Sequence, residues 1–497
     1  MLKLKIFAYA MVAIVLGTTL TSCEDWLDVN TDPNNPVHVE PNLTLPVAEA
    51  YTAHYISADR RISHLGNMFM ANWSESHGFS WYNDEFRYNV TSTFYTGVFD
   101  QAFSRSLKEY QNLVNLEGEY YSHYKAIGMI MKSYHYQILV DTYGDVPYFE
   151  ALQRSNNPTP KYDDAATIYR DLIVQLNEAK TLLATTPEQY MKVGADDIIF
   201  KGNTESWIKF ANTVKGRILA RLSGKSAEKT SSAFVDLITE EMGKMSEGTI
   251  TADVIVNPGY VNEANKQNPF WAAFGKGVDG SDVQNWRATP ATEYILTLLN
   301  SKSDPRVDKL FARPIDNPDA HKGWNQGIEP NDDVAYSKVS LIGTGLLKGA
   351  TAGQPIFTLA ENYFNLAELA LKGYGGDDKA LYENGVKASF RYLGLTDANA
   401  TTYLSQEVPF VQYPSSNEDK LHTIIYQKRI AVMGITAEQS WYDYNRTGYP
   451  TGVPVSAEAT TADRPVRLFY PSSERNANAL NVPEQPNAFT TKIFWAN

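Results

Sequence analysis

The chain of 497 residues has 44 basic and 57 acidic side chains, a formal net charge of −13, and one cysteine. So acidic a balance argues against binding nucleic acid or being drawn to anionic lipid, and a single cysteine excludes an internal disulfide, thiolate metal sites and redox pairs. Stability must come from buried apolar surface, which a chain this long can supply in two or more lobes or in one extended repeat architecture.

Lys3 and Lys5 precede an apolar run from Ile6 to Leu16 and small residues up to Ser22, the layout of a secretory leader. The run is short for a membrane span. Leu20-Thr21-Ser22-Cys23 gives an aliphatic residue, two small residues and a cysteine, the order of a bacterial lipobox. Residues 1–22 are therefore expected to be removed as a signal peptide, leaving Cys23 as a lipidated first residue. Each buried CH₂ contributes about 0.8 kcal/mol, so the three acyl chains of a mature bacterial lipoprotein hold almost permanently.

Residues 23–44 read as the lipidated tether: Glu24 to Pro36 is acidic, rich in Asn, Asp and Pro, and lacks an apolar period. Asp28, Asn30, Asp32 and Asn34 alternate like half a calcium loop, but Pro33 replaces the required glycine and Val39 the required glutamate. Residues 45–497 are expected to form one domain.

From Leu45 onward the dominant period is helical. Ile127, Met131, Tyr134 and Ile138 make one stripe ending near Tyr143-Gly144; Ile168, Leu172, Leu176, Ala179 and Leu183 make the next, capped by Asp163 or Asp164. A third follows Asn203-Thr204, from Trp207 to Leu222. Stripes at Phe357 to Leu371 and Tyr382 to Leu393 flank a glycine-rich turn, a helix pair of about tetratricopeptide length. Residues 251–353 instead hold many Gly, Pro, Asn and Asp, with one clear helix predicted to begin at Thr289 as cap and Pro290 as first residue. A second irregular segment covers 72–99, and the stretch after Tyr449 is irregular too. No strand series is visible, so the class is mainly α with long irregular insertions and little sheet.

No Gly-x-Ser-x-Gly elbow, His-Glu-x-x-His pair or phosphate loop is present. Gly343-Thr344-Gly345 has Lys348 where a dinucleotide loop needs its third glycine. His123 and His135 sit within helical pattern, as packing residues would. Asp316, Asp319, Glu329, Asp332 and Asp333 could gather round a structural calcium ion, but a solvated loop is the favoured reading and no cofactor is expected.

Short motifs run nearly end to end: Cys23-Glu24-Asp25-Trp26-Leu27-Asp28, Tyr143-Gly144-Asp145-Val146-Pro147-Tyr148, Trp207-Ile208-Lys209-Phe210, Asp304-Pro305-Arg306, Ala367-Glu368-Leu369-Ala370, Gln427-Lys428-Arg429, and Trp441 through Pro450. In this order the chain resembles the SusD/RagB family of nutrient-binding outer-membrane lipoproteins, in its SusD-like branch. Where the family usually shows a further arginine before Thr-Gly-Tyr-Pro, this chain has Asn445. The resemblance implies a scaffold of four tetratricopeptide-like helix pairs and a ligand face built from irregular insertions. It also implies a cell-surface position and a partner, a SusC-like TonB-dependent outer-membrane barrel that receives captured oligosaccharide. Peptide capture, as in RagB-like members, is the alternative; a surface glycosidase is a more distant one.

A sugar ring offers an apolar face ringed by hydroxyls, so its site combines flat aromatics with amide, carboxylate or guanidinium groups. Two stretches offer that mixture. One is Asn72, Trp73, Trp81, Tyr82 and Asn83; the other is Trp271, Asp282, Asn285, Trp286 and Arg287, with Trp324 further on. Trp81 and Trp286, both flanked by polar residues, are the strongest ligand candidates, and burial in the core is the competing reading for every tryptophan here.

Overall fold

A computed structural model describes residues 39–185, 187–224 and 232–496; Cys23, the leader and residues 24–38 of the tether lie outside them. The first helix, α1 (Pro41–Ser57), starts inside the stretch assigned to the tether. A proline in the first turn loses no hydrogen bond there, and Thr44 and Leu45 already face the core. α2 (Ile62–Phe69) follows, then α3 (Lys108–Val114), α4 (Ser122–Tyr143), α5 (Ala165–Ala184), α6 (Thr204–Leu222) and α7 (Ser232–Gly243). After the middle segment come α8 (Glu293–Asn300), α9 (Leu359–Leu371), α10 (Asp378–Tyr392), α11 (Asn417–Val432) and α12 (Glu438–Thr447).

Neighbours in sequence pack as neighbours in space, α3 on α4, α4 on α5, α5 on α6, and α9 on α10. This is the helix-pair scaffold expected. Asp164 caps α5 by accepting the Thr167 N–H at 2.8 Å, and Asn203 caps α6 by accepting that of Ser206 at 2.8 Å. Gly144 ends α4 at φ 78°, a backbone that side chains resist. Between α9 and α10 a Cβ on Gly385 would stand 2.8 Å from the Phe364 ring, so only glycine allows this approach. Sheet is confined, among the described residues, to two antiparallel pairs, β1 (Val146–Pro147) with β2 (Tyr162–Asp163) and β3 (Val254–Val256) with β4 (Gln354–Phe357).

The scaffold buries charge as well as hydrocarbon. Asp443 on α12 accepts from Arg221 at 2.6 Å and from Arg446 at 3.0 Å, and pairs with Lys428 at 2.7 Å. Arg446 also grips both oxygens of Glu368, at 2.5 and 2.7 Å. Burial alone would push Asp443 up, but the three cations hold it well below the usual carboxylate range. Glu368, Lys428 and the segment from Trp441 to Arg446, which carry the family resemblance, therefore meet at one buried ionic knot between helices. Asn445 sits beside it and donates to the Val466 carbonyl at 3.1 Å. His135 is buried against Thr52 at 2.9 Å and His123 reaches the Thr185 carbonyl at 3.2 Å, both as packing residues.

One helix start differs from expectation. The cap of α8 is Thr292, which accepts the Ile295 N–H at 3.1 Å, rather than Thr289. Pro290 lies just before it in an extended bridge opposite Leu341, where its missing N–H is harmless, so the Thr-Pro signature marked the approach to the helix.

Candidate functional site: an aromatic face on a knitted ribbon

The irregular segments are joined by backbone hydrogen bonds too sparse to make a sheet. Trp73 bridges Ala291; the N–H groups of Ser74 and Ser76 donate to Pro290 and Ala288 at 2.8 and 3.0 Å. Ala291 in turn donates to Ser340 at 2.8 Å, and Ala312 to Leu341 at 2.7 Å. Four stretches far apart in sequence thus lie side by side, each satisfying backbone groups the others would leave bare.

Beneath this ribbon is a second hydrophobic core, which contains Trp73, Tyr82, Phe86, Phe270, Phe274 and Ile295. Trp73 lies 5.4 Å from the Phe274 ring, and His64 stands edge-on to Tyr82 at 5.3 Å. The Tyr82 hydroxyl is paired with Thr289 at 2.7 Å. Asn72, also buried, donates to Asn67 at 3.1 Å and accepts from Arg429 at 3.0 Å. Asn72, Trp73 and Tyr82 are therefore struts of the ribbon and not ligand-facing groups, a correction to the sequence expectation. Asn72 and Trp73 follow directly on α2, whose residues are all buried, before the chain reaches the surface, and Tyr82 turns back inward after it.

Trp81 has reached it. Its residue is 38 % exposed, and its backbone is fixed from both sides: its N–H donates to Glu75 at 2.6 Å and its carbonyl accepts from Arg60 at 2.7 Å. Glu75 is pushed up by burial, against the opposing pull of the Trp81 and Tyr82 N–H groups. Phe79 stacks edge-on to the Trp81 indole at 4.8 Å. Asn83 is exposed beside it and donates to the Ser80 carbonyl at 3.3 Å.

Trp286, Trp324 and Tyr336 pack, each half-exposed, on a small apolar cluster of Val334, Val339 and Leu341. The indole N–H of Trp286 donates to Ile342 at 3.0 Å, and that of Trp324 to Ile328 at 2.7 Å, so both rings are fixed in plane. The Arg287 guanidinium lies 5.0 Å over the Tyr336 ring and 3.9 Å from Asp282, which also holds Lys276 at 2.6 Å. Asn285 is half-buried and uses its carbonyl to accept from Thr289 at 2.6 Å. The His77 N–H donates to the Val334 carbonyl at 3.0 Å, which ties the loop of Phe79 and Trp81 to this second group of rings.

Trp271 belongs elsewhere. It lines a separate cleft with Asn268, Lys348 and Tyr392, from the short helix Pro269–Phe274. The structure thus gathers Trp286, Arg287 and Trp324 on one apolar base, joins the Trp81 loop to it, and leaves Trp271 out. Phe79 and Tyr336 were missed from sequence, although each lies in an irregular stretch with polar neighbours, the same signal that marked Trp81. Among the loop carboxylates, Asp316 accepts from Ser337 at 2.8 Å and Asp332 faces His77 at 3.1 Å, each with its own partner.

The chain belongs to the SusD-like family, described as starch-binding and associating with the outer membrane, whose model matches residues 33–471. Similar solved structures include a chitin-binding SusD homolog from Flavobacterium johnsoniae, 21% identical with a TM-score of 0.75, covering 91% of this chain and 98% of that one. A SusD homolog from Bacteroides fragilis is 20% identical with a TM-score of 0.71, covering 92% and 99%. A SusD-like protein from Bacteroides thetaiotaomicron is 21% identical with a TM-score of 0.72, covering 91% and 98%. At these identities the likeness establishes the fold. No curated protein matches the chain. Among the described residues no helix is long and apolar enough to cross a membrane.

Proposed function

We propose that the protein is a lipid-anchored, cell-surface binding protein that captures oligosaccharide on the face of Trp81, Trp286, Arg287, Trp324 and Tyr336 and delivers it to a SusC-like TonB-dependent barrel. It binds without cleaving. The observation that carries this reading is Trp81, an indole left open to solvent while Arg60 and Glu75 immobilise its backbone. An exposed ring normally costs solvation and gains nothing; one held this firmly is preorganised for stacking. Arg287 and Asp282 supply the polar rim that sugar hydroxyls require. The family description and the chitin-binding relative both support a carbohydrate ligand, and the lipobox ending at Cys23 supports the anchor.

The test is calorimetric titration of malto- and chito-oligosaccharides into the wild type and a Trp81→Ala/Trp286→Ala double variant. The wild type should bind at least one series, the variant neither, and their melting temperatures should agree. Binding that survives the double change would place the platform elsewhere; new reducing ends after incubation would make the protein an enzyme; copurification without any barrel from native membranes would remove the transport partner.

A further inference from the structure

A cleft of about 850 Å³, lined by none of the aromatic-face residues, lies on the helix-pair side where α1, α3, α4 and α5 meet the loop after β1. That volume falls in the range of small-ligand sites. Its floor carries Lys132 from α4, and its rim carries Arg154 from the loop. Among the described residues neither cation has a carboxylate within ion-pair distance. Lys132 donates to the amide oxygen of Gln111, and Arg154 donates to that of Asn112 at 2.7 Å. Each amide passes its own N–H onward, Gln111 to Asn115 at 2.6 Å and Asn112 to Glu109 at 3.0 Å. Two cations are therefore held by neutral acceptors, in a chain with an excess of carboxylates.

Burial pushes the Lys132 amine down to about 8, and the Asp171 charge offsets only part of that desolvation. Asp171 itself is occupied by the Tyr148 hydroxyl at 2.6 Å. The loop that brings Arg154 to this position is strained: Leu152 and Arg154 hold φ of 65° and 55°, a region side chains resist. Beside them Phe149 lies 51 % exposed at the cleft wall.

We infer that this cleft is a second binding site, for a sugar unit that carries a carboxylate: Lys132 and Arg154 hold the carboxylate, the amides bond the ring hydroxyls, and Phe149 covers the ring's apolar face. Charge-assisted hydrogen bonds are roughly twice as strong as neutral ones, so a carboxylate displaces the amide oxygens from both cations. A flat exposed ring among primary amides matches the apolar face and hydroxyl rim of a sugar, which favours a sugar over a peptide.

The probes are a galacturonate trisaccharide, maltotriose and a triglutamate peptide, titrated into four forms of the protein. The forms are wild type, Lys132→Met, Arg154→Ala and the Trp81→Ala/Trp286→Ala variant. The galacturonate trisaccharide should bind wild type and the double-tryptophan variant within about twofold of each other, and lose about tenfold with either cation removed, a change of about 1.4 kcal/mol. Arg154 is exposed, so its removal leaves the fold intact even if Lys132→Met does not. No galacturonate binding to wild type, or equal binding by the Arg154→Ala variant, would overturn the proposal; so would triglutamate or maltotriose competing at equal strength. Because the double-tryptophan variant separates the two faces, this site can fail while the aromatic platform stands, and the reverse.

Discussion

The scaffold and the ribbon solve the same problem, burying polar backbone and side chains, in opposite ways. In the helix pairs most backbone groups are satisfied within a helix, so long-range polar contacts are made mainly by side chains, and these concentrate in the knot of Arg221, Lys428, Asp443, Arg446 and Glu368. In the ribbon the backbone itself makes the long-range bonds, Trp73 to Ala291 and Ala291 to Ser340, while side chains such as Trp81 and Arg287 are left for the surface. A region held by side chains can lose one and unravel; a region held by its backbone can change its exposed side chains freely. That is the division a binding protein needs, a fixed frame and a variable face.

The sharpest way to break this comparison is Arg446→Met. It leaves Glu368 facing one fewer cation in the interior, and the loss should be about 3–5 kcal/mol of stability by thermal or denaturant unfolding. A melting curve unchanged by this substitution would mean the knot is not what holds the helices. The same knot sets the acid limit: Asp443, held low by its cations, contributes stability that is present above the ordinary aspartate range near pH 4 and disappears as pH falls through its folded value.

Next in size is Glu438→Gln. Burial pushes Glu438, at the start of α12, up to about 8. A carboxyl raised in the folded state favours folding fully only below its unfolded value near 4.3, and that contribution declines as pH rises toward 8, by about 1.4 kcal/mol per pH unit. The glutamine variant should therefore gain melting temperature over wild type at pH 8 and much less at pH 5; an equal gain at both would show that Glu438 is ionised in the fold. Smallest is Trp81→Ala alone, expected to cost about 0.5–1.5 kcal/mol in oligosaccharide affinity with no change in melting temperature. A drop in stability of several kcal/mol would turn Trp81 into a core residue and erase the contrast between it and Trp73.

Trp73 and Trp81 show how much of the site could be read in advance. Both lie in one irregular stretch among amides and phenols, and although polar neighbours favoured Trp81, both stood as ligand candidates. What separates them is that Trp73 falls where the ribbon crosses Ala291 and Phe274, whereas Trp81 follows the turn at Gly78, φ 91°, which carries the chain outward. Thr289-Pro290 misled for a similar reason: the pair satisfies the local rules for a helix start, and the tertiary bridge to Leu341 claimed those residues first. The cleft of Lys132 and Arg154 gave no signal at all, since its two cations are 22 positions apart on a helix and a loop with nothing unusual around either.

By itself the sequence determined the helices of the scaffold, the start of α6 at Asn203, the family, and the expectation of an anchor at Cys23, and it narrowed the α5 cap to Asp163 or Asp164. These follow from local periodicity, from short-range hydrogen bonds and from motifs that are contiguous in the chain. Only the tertiary structure decided which rings face solvent, which loops lie together, and where two cations converge on one cleft. Those outcomes depend on contacts between segments separated by up to hundreds of residues, and in irregular stretches no period ties a residue's place in the chain to the side of the molecule on which it ends.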